Sequence, residues 1–164
     1  MTITSRLPAL IDYLVALFTG AATLGAATPP VEIFDGPPTT LLDLPLKLYV
    51  GLSDPYAEAA EVAGDIVQAW ASLGRRARNE TITIHCCAEA WSGADDIQDI
   101  RLAVTGIVAA VEVLMQADTT RFGGNVLFPD PGVTSGQLKQ NNTTTGATAT
   151  LAFDLVFKSR IGGG

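Results

Sequence analysis

His85, Cys86 and Cys87 stand side by side and are the chain's only imidazole and only thiols. A nucleophile needs a base to activate it and a third group to orient that base. His85 instead sits mid-strand between Ile84 and Cys86, a setting that reads as a packed or half-exposed strand histidine. Adjacent cysteines leave a strand on opposite faces, so Cys86 and Cys87 cannot readily bridge and read as core filling. With one histidine and no CxxC pair, no metal-ligand set is formed. Gly123-Gly124 and the terminal Gly162-Gly163-Gly164 lack the lysine of a P-loop and the spacing of a dinucleotide fingerprint. Asp95-Asp96 is an ordinary acidic start to a helix. The residues therefore predict no enzyme, no cofactor and no metal.

The elements that carry these residues are legible from hydropathy. Residues 81–91 alternate. Ile82, Ile84, Cys86, Ala88 and Ala90 share one face, and Thr81, Thr83, His85, Cys87, Glu89 and Trp91 share a face expected to be at least partly wet. The turn 92–96 then switches the period to 3.6, with Ile97, Ile100, Val104, Ile107, Val108, Val111, Leu114 and Met115 on one stripe. Asp95 and Asp96 favour the helix N-terminus through its dipole, and Gly106 predicts a close approach of helix to sheet.

Upstream, Leu7, Leu10, Ile11, Leu14, Val15 and Phe18 form the stripe of an amphipathic helix, capped by Thr4 or Ser5, with Ala9, Asp12, Tyr13 and Ala16 turned away. Short strands are predicted at 31–34 and 46–52. Residues 56–73 fit either a helix with an acidic stripe (Asp54, Glu58, Glu61, Asp65) or a strand at 64–71, since Gly64 disfavours the helix. Residues 118–124 read as a loop and 125–128 as a short strand. Strands at 133–140 and 147–161 close the chain. Between them lie Asn141-Asn142-Thr143-Thr144-Thr145-Gly146, polar and without apolar anchors, so the tip 137–146 is expected to be mobile. The fold class is α+β: a single domain over 1–164, with a mostly antiparallel or mixed sheet, an N-terminal helix with a small-residue segment (1–28), and one long central helix packed on one face.

Composition narrows the function classes. Of 164 residues, 16% are charged, well below the roughly 25% usual in soluble domains. Hydrophobic residues make up 48%. Such a surface predicts contact with other subunits. The net charge of −7 opposes affinity for nucleic acid. Arg75, Arg76 and Arg78 are the one basic cluster and read as a solvated turn. Asp12 lies within the apolar segment 7–27 and opposes a membrane span. The small residues 21–27 nevertheless mimic a signal cleavage site, which leaves a secreted binding domain as the alternative from a different class.

From Leu48 onward the chain resembles the tail terminator, or tail completion, proteins of long-tailed actinobacterial phages. The pieces are Tyr49-Val50-Gly51 followed by Asp54-Pro55; Ala69-Trp70-Ala71-Ser72-Leu73-Gly74; Ile84-His85-Cys86-Cys87-Ala88-Glu89-Ala90-Trp91-Ser92-Gly93; Ile100-Arg101; Ala110-Val111-Glu112; Ser135-Gly136-Gln137-Leu138; and Lys158-Ser159-Arg160-Ile161. Residues 118–124 are similar to the loop after the family's long helix. The resemblance covers about two-thirds of the chain and favours a strand at 64–71.

The resemblance implies a sheet flanked by helices and assembled as a six-fold ring. Such a ring caps the head-proximal end of the tail tube, stops its polymerisation and meets the head connector. Its implied partners are further copies of the chain, the tail tube protein and the connector or stopper protein, and its implied place is the virion, after assembly in the host cytoplasm. A related reading is a head-side connector or stopper. Six copies carry 6 × (−7) = −42, so DNA is expected to pass the bore without specific binding. The candidate contact for a neighbouring subunit or the tube is Gln137, Lys139, Asn141, Asn142, Thr143, Thr144 and Thr145.

Overall fold

A computed structural model describes residues 4–39, 44–71, 76–94, 96–127 and 132–162. The elements are α1 (Leu7–Thr19), α2 (Ala22–Gly25), β1 (Glu32–Asp35), β2 (Leu46–Val50), β3 (Gly64–Trp70), β4 (Arg78–Ser92), α3 (Ile97–Ala117), α4 (Arg121–Gly124), β5 (Val133–Thr143) and β6 (Gly146–Ile161). The expected α+β class holds: six strands form one mixed sheet, with the N-terminal helix and α3 packed against it.

Strand β4 is the spine. One edge pairs along its whole length with β6, from Arg78↔Ile161 to Ser92↔Ala147. Its other edge is divided between two short antiparallel partners. β3 takes residues 78–84 and β2 takes residues 86–90. The sheet is completed by β1, parallel to β2, and by β5, antiparallel to β6. At the division, the His85 carbonyl accepts the N–H groups of Gly51 and Leu52 (2.8 and 3.0 Å), and the His85 N–H donates to the Ala63 carbonyl (3.1 Å). Residues 53–63 leave the sheet between these two partners as a strap.

The ambiguity at 56–73 resolves as a strand at Gly64–Trp70, with no helix at 54–63, so the acidic residues there form no helical stripe. Gly64 is required where β3 begins, because a Cβ there would collide with the Thr83 carbonyl oxygen.

The core follows the two sequence periods. Leu10, Leu14 and Phe18 of α1, and Ile100, Val104, Ile107, Val108, Val111 and Met115 of α3, are buried against Ile82, Ile84, Cys86, Ala88, Phe153, Leu155 and Phe157. α3 is long and apolar enough to cross a membrane by composition; 28% of that apolar window is buried, while Leu102 and Val113 are exposed. Asp96 caps it by accepting from Gln98 N–H and Asp99 N–H, while Asp95 lies outside the described residues.

Several expectations are corrected. Gly106 is exposed, and a Cβ there would meet nothing within 4 Å, so it marks no close helix–sheet approach. Tyr13 does not turn away; it meets Phe122 edge-on at 5.8 Å. The boundary residue of α1 is Arg6, with no side-chain cap. Ser5 Oγ accepts the Leu7 N–H instead, and buried Glu80 accepts the Arg6 N–H. No strand forms at 125–127, where a single bond from Leu127 N–H to the Lys158 carbonyl joins the sheet; Phe128 lies outside the described residues. The polar run at 137–143 is paired strand rather than loop. β5 keeps register with β6 to Thr143↔Gly146, leaving only Thr144 and Thr145 in the turn.

Val111 is fully buried beneath the sheet. A carboxylate there would be desolvated without a partner, at a cost comparable to the whole stability of a small domain, about 5–15 kcal/mol. Val111→Asp is expected to give insoluble or unfolded protein, with no cooperative melt by circular dichroism.

Candidate functional site

The face of the sheet opposite the helices carries the polar chemistry. Directly opposed residues align into a row across four strands, Lys47↔Glu89↔Thr150↔Lys139. Glu89 is 2% exposed and Lys47 6% exposed. The Glu89 carboxylate accepts from Lys47 Nζ (3.2 Å), Tyr49 OH (2.9 Å) and Tyr56 OH (2.6 Å). A buried charge costs several kcal/mol unless it is paired and its remaining lone pairs are filled. Here the cation, two hydroxyls and the strap above supply both conditions. Burial first, and then the neighbouring Glu89 carboxylate, push the Tyr49 and Tyr56 hydroxyls well above the ordinary tyrosine range, so both remain donors.

Cys87 and Glu89 were expected on a partly wet face, and this is corrected. Tyr49, Leu52 and Cys87 form a second small core, with Phe34 stacked on Tyr49 at 5.2 Å. Buried Leu52, just before the strap, and Tyr56 of the strap cover part of this half of the face. Burial raises both thiols to about 12, so Cys86 and Cys87 are protonated packing groups at neutral pH.

Two side-chain bonds pin the strap to the sheet, and a third, between Ser53 and Glu61, lies within it. Asp54 Oδ2 accepts from Lys139 Nζ at 3.0 Å, Ser53 Oγ donates to Glu61, and Tyr56 reaches Glu89. The bond from Lys139, with the Tyr56 N–H, holds the Asp54 carboxyl below the usual range. Between strap and hairpin lies an open cavity of about 380 Å³, lined by Asp54, Tyr56, Lys139, Gln140, Asn141, Thr148 and Thr150.

Lower on the same face, His85 Nδ1 meets Asp154 Oδ1 at 2.6 Å and Nε2 meets Asp65 Oδ2 at 3.2 Å. Ser135 Oγ donates to Asp154 Oδ2 at 2.8 Å. Burial alone would lower the His85 pKa. The two carboxylates outweigh burial and raise it above the ordinary 6.5. The serine is tied to the carboxylate and not to the imidazole, which leaves it without a base. Among the described residues, no group of three or more acidic, histidine or cysteine side chains is placed to hold a metal ion.

The candidate contact residues fall into two sets. Gln137, Lys139 and Asn141 oppose Ala152, Thr150 and Thr148 and share the strap face. Asn142 opposes Ala147, Thr143 closes the ladder, and Thr144 and Thr145 form the exposed turn. Gln140, on the helix side, accepts from Arg101 of α3. The carboxylate networks at Glu89 and Asp154 were not legible in advance as sites. Their signal was the cross-strand row itself, which needs the register. No protein-family model matches the chain, and no curated protein shows significant similarity to it.

Three outcomes follow. Tyr56→Phe removes one bond to a buried carboxylate and should cost about 1 kcal/mol. Glu89→Ala strands Lys47 in a buried site and should cost about 3–5 kcal/mol in urea unfolding. The raised His85 pKa gives a stabilisation that is full below about pH 6.5 and is lost as pH rises through the raised value. The melting-temperature advantage of the native chain over His85→Asn should therefore be larger near pH 5.5 than near pH 9. An equal advantage at both pH values would show that the bridge is not proton-linked.

Proposed function

We propose that this chain is a structural virion protein, a tail terminator that forms a closed six-fold ring on the head-proximal end of a phage tail tube. There it halts tube polymerisation and joins the tail to the head connector. The observation that carries this reading is the resemblance of the run at 84–93, together with Tyr49-Val50-Gly51, Asp54-Pro55 and Ser135-Gly136-Gln137-Leu138, to that family.

Those pieces are scattered in sequence but meet in space. Gly51 bonds to His85, Asp54 pairs with Lys139 beside Gln137, and Ser135 bonds to Asp154 opposite His85. Part of the resemblance is thus gathered on neighbouring strands of one sheet.

The surface supports assembly too. β3 carries Ile66, Val67 and Trp70 at 42%, 67% and 71% exposure on the outer edge of the sheet, with no lysine, proline or bulge to blunt it. β5 is exposed along nearly all of its eleven residues. Heterologous contacts between such surfaces close into rings or run on as filaments. A net −7 per copy suits a bore through which DNA slides.

Native mass spectrometry, alone and with the tail tube protein, should give a closed six-copy ring. A chain that stays at 17.1 kDa even in tail assemblies would overturn the reading. Deleting residues 141–145 removes only the last pairs of the β5–β6 ladder. It should leave the fold intact but give tails of uncontrolled length, whereas unjoined heads with tails of normal length would favour the connector or stopper role.

A further inference from the structure

The charges are segregated along the strand ladder. At the end where β4 begins and β6 finishes, the register brings together Trp70↔Arg78, Asn79↔Arg160 and Thr81↔Lys158, with Arg76 just before β4. Directly paired residues share a face, so Arg78 and Trp70 lie on the helix side, and Lys158 and Arg160 lie on the other. Arg76, Lys158 and Arg160 are exposed, and the Arg78 guanidinium stands 5.9 Å from the ring of exposed Trp70. Among the described residues, none of the four cations has a carboxylate within ion-pair distance. The nearby Glu80 is buried, and its oxygens are taken by Arg6 N–H and Gln68.

The opposite sign collects toward the far end, on and around the strap. Asp54, Glu58 and Glu61 lie there, answered among the described residues only by Lys139 on Asp54. The strap is attached at His85, through Ala63, and at Glu89, through Tyr56, four and eight residues along β4 from Thr81, which opposes Lys158. At about 3.3 Å per residue, the strap anchors stand roughly 13–26 Å along the ladder from that cation. The basic end and the strap are separate patches of one subunit.

We infer that the basic end of the strand ladder, where Lys158 and Arg160 stand on the strap face and Arg78 and Trp70 on the other, is the docking surface for the acidic strap of a second copy of this chain. The inference rests on the ring reading and names the contact that would build the ring. Charge complementarity commits it to this occupant: the patches differ in sign, are separate and belong to one molecule, which is the requirement for a head-to-tail contact. Arg78, which has no ion pair among the described residues, beside exposed Trp70 also has the composition of an interface anchor. A nucleic-acid phosphate offers the same charge to the arginines, but the chain's net −7 opposes its approach.

Two charge-reversed double variants test this. One is Lys158→Glu with Arg160→Glu; the other is Glu58→Lys with Glu61→Lys. Three of the four positions are exposed and Glu61 is half-buried at the strap surface, and unchanged circular dichroism spectra would verify that each variant folds. Each alone should sediment at the protomer mass under conditions where the unaltered chain assembles. An equimolar mixture should regain the assembled mass, because each variant then presents the complement of the other.

Assembly of both single variants like the unaltered chain would overturn the inference and leave the ring reading standing. So would failure of the mixture to assemble. Absence of assembly by the unaltered chain, with the tube protein present, would remove both. Binding of duplex DNA by the unaltered chain at about 0.15 M salt, lost in the Lys158/Arg160 variant, would assign the patch to nucleic acid and overturn the inference.

Discussion

The pairing of β4 with β6 is the constraint on which the rest of the structure depends. Fifteen consecutive cross-strand pairs run from Arg78↔Ile161 to Ser92↔Ala147 without a register shift. A slip of one residue would turn Ile82, Ile84 and Cys86 toward the strap, and Thr83, His85 and Cys87 into the helix layer. That register decides which face α1 and α3 can cover. It sets Glu89 opposite Thr150 and His85 opposite Asp154, while the β2–β4 register brings Lys47 opposite Glu89. Gly146, whose Cβ would strike the Ser92 carbonyl oxygen, fixes the end of the ladder from which that alignment is counted.

Because the ladder is long and its two short partners share one edge, the subunit has a joint at its middle. The backbone of His85 serves β2 on one side and β3 on the other, through Gly51, Leu52 and Ala63. The strap between these attachments is therefore held by its ends and by side chains, with no strand partner of its own. Tyr56 on Glu89 and Asp54 on Lys139 are what keep it on the sheet. Stability there is local, and it depends on a few polar bonds to groups that the strap itself shields from water.

The helices and long strands were legible because each has a buried stripe of one clear period, as in Leu10-Leu14-Phe18 and the alternation at 147–157. β3 was legible only in part. Its apolar residues are exposed on both faces, so no burial pattern separates it from a helix, and Gly64 was the decisive local residue. The strap face was misjudged for a different reason. Lys47, Tyr49 and Glu89 are polar types that ordinarily mark a wet face, yet they are buried because they satisfy one another across strands. That satisfaction is a property of register and of the covering segment, and neither is written in the local pattern. The polar tip shows the converse. Its Asn and Thr residues carry no apolar anchor, yet Gln137 to Thr143 is ordered as strand by the backbone of β6.

The two adjacent thiols sit in different compartments. Cys86 belongs to the layer under the helices, and Cys87 to the small core under the strap, with one peptide bond between them. Both are protonated at neutral pH and out of reach of oxidants. Loosening of the strap alone would uncover Cys87 and leave Cys86 sealed, whereas opening of the helix layer would do the reverse. The chain thus carries two neighbouring sulfur atoms whose exposure histories are independent, a built-in record of which side of the sheet has opened.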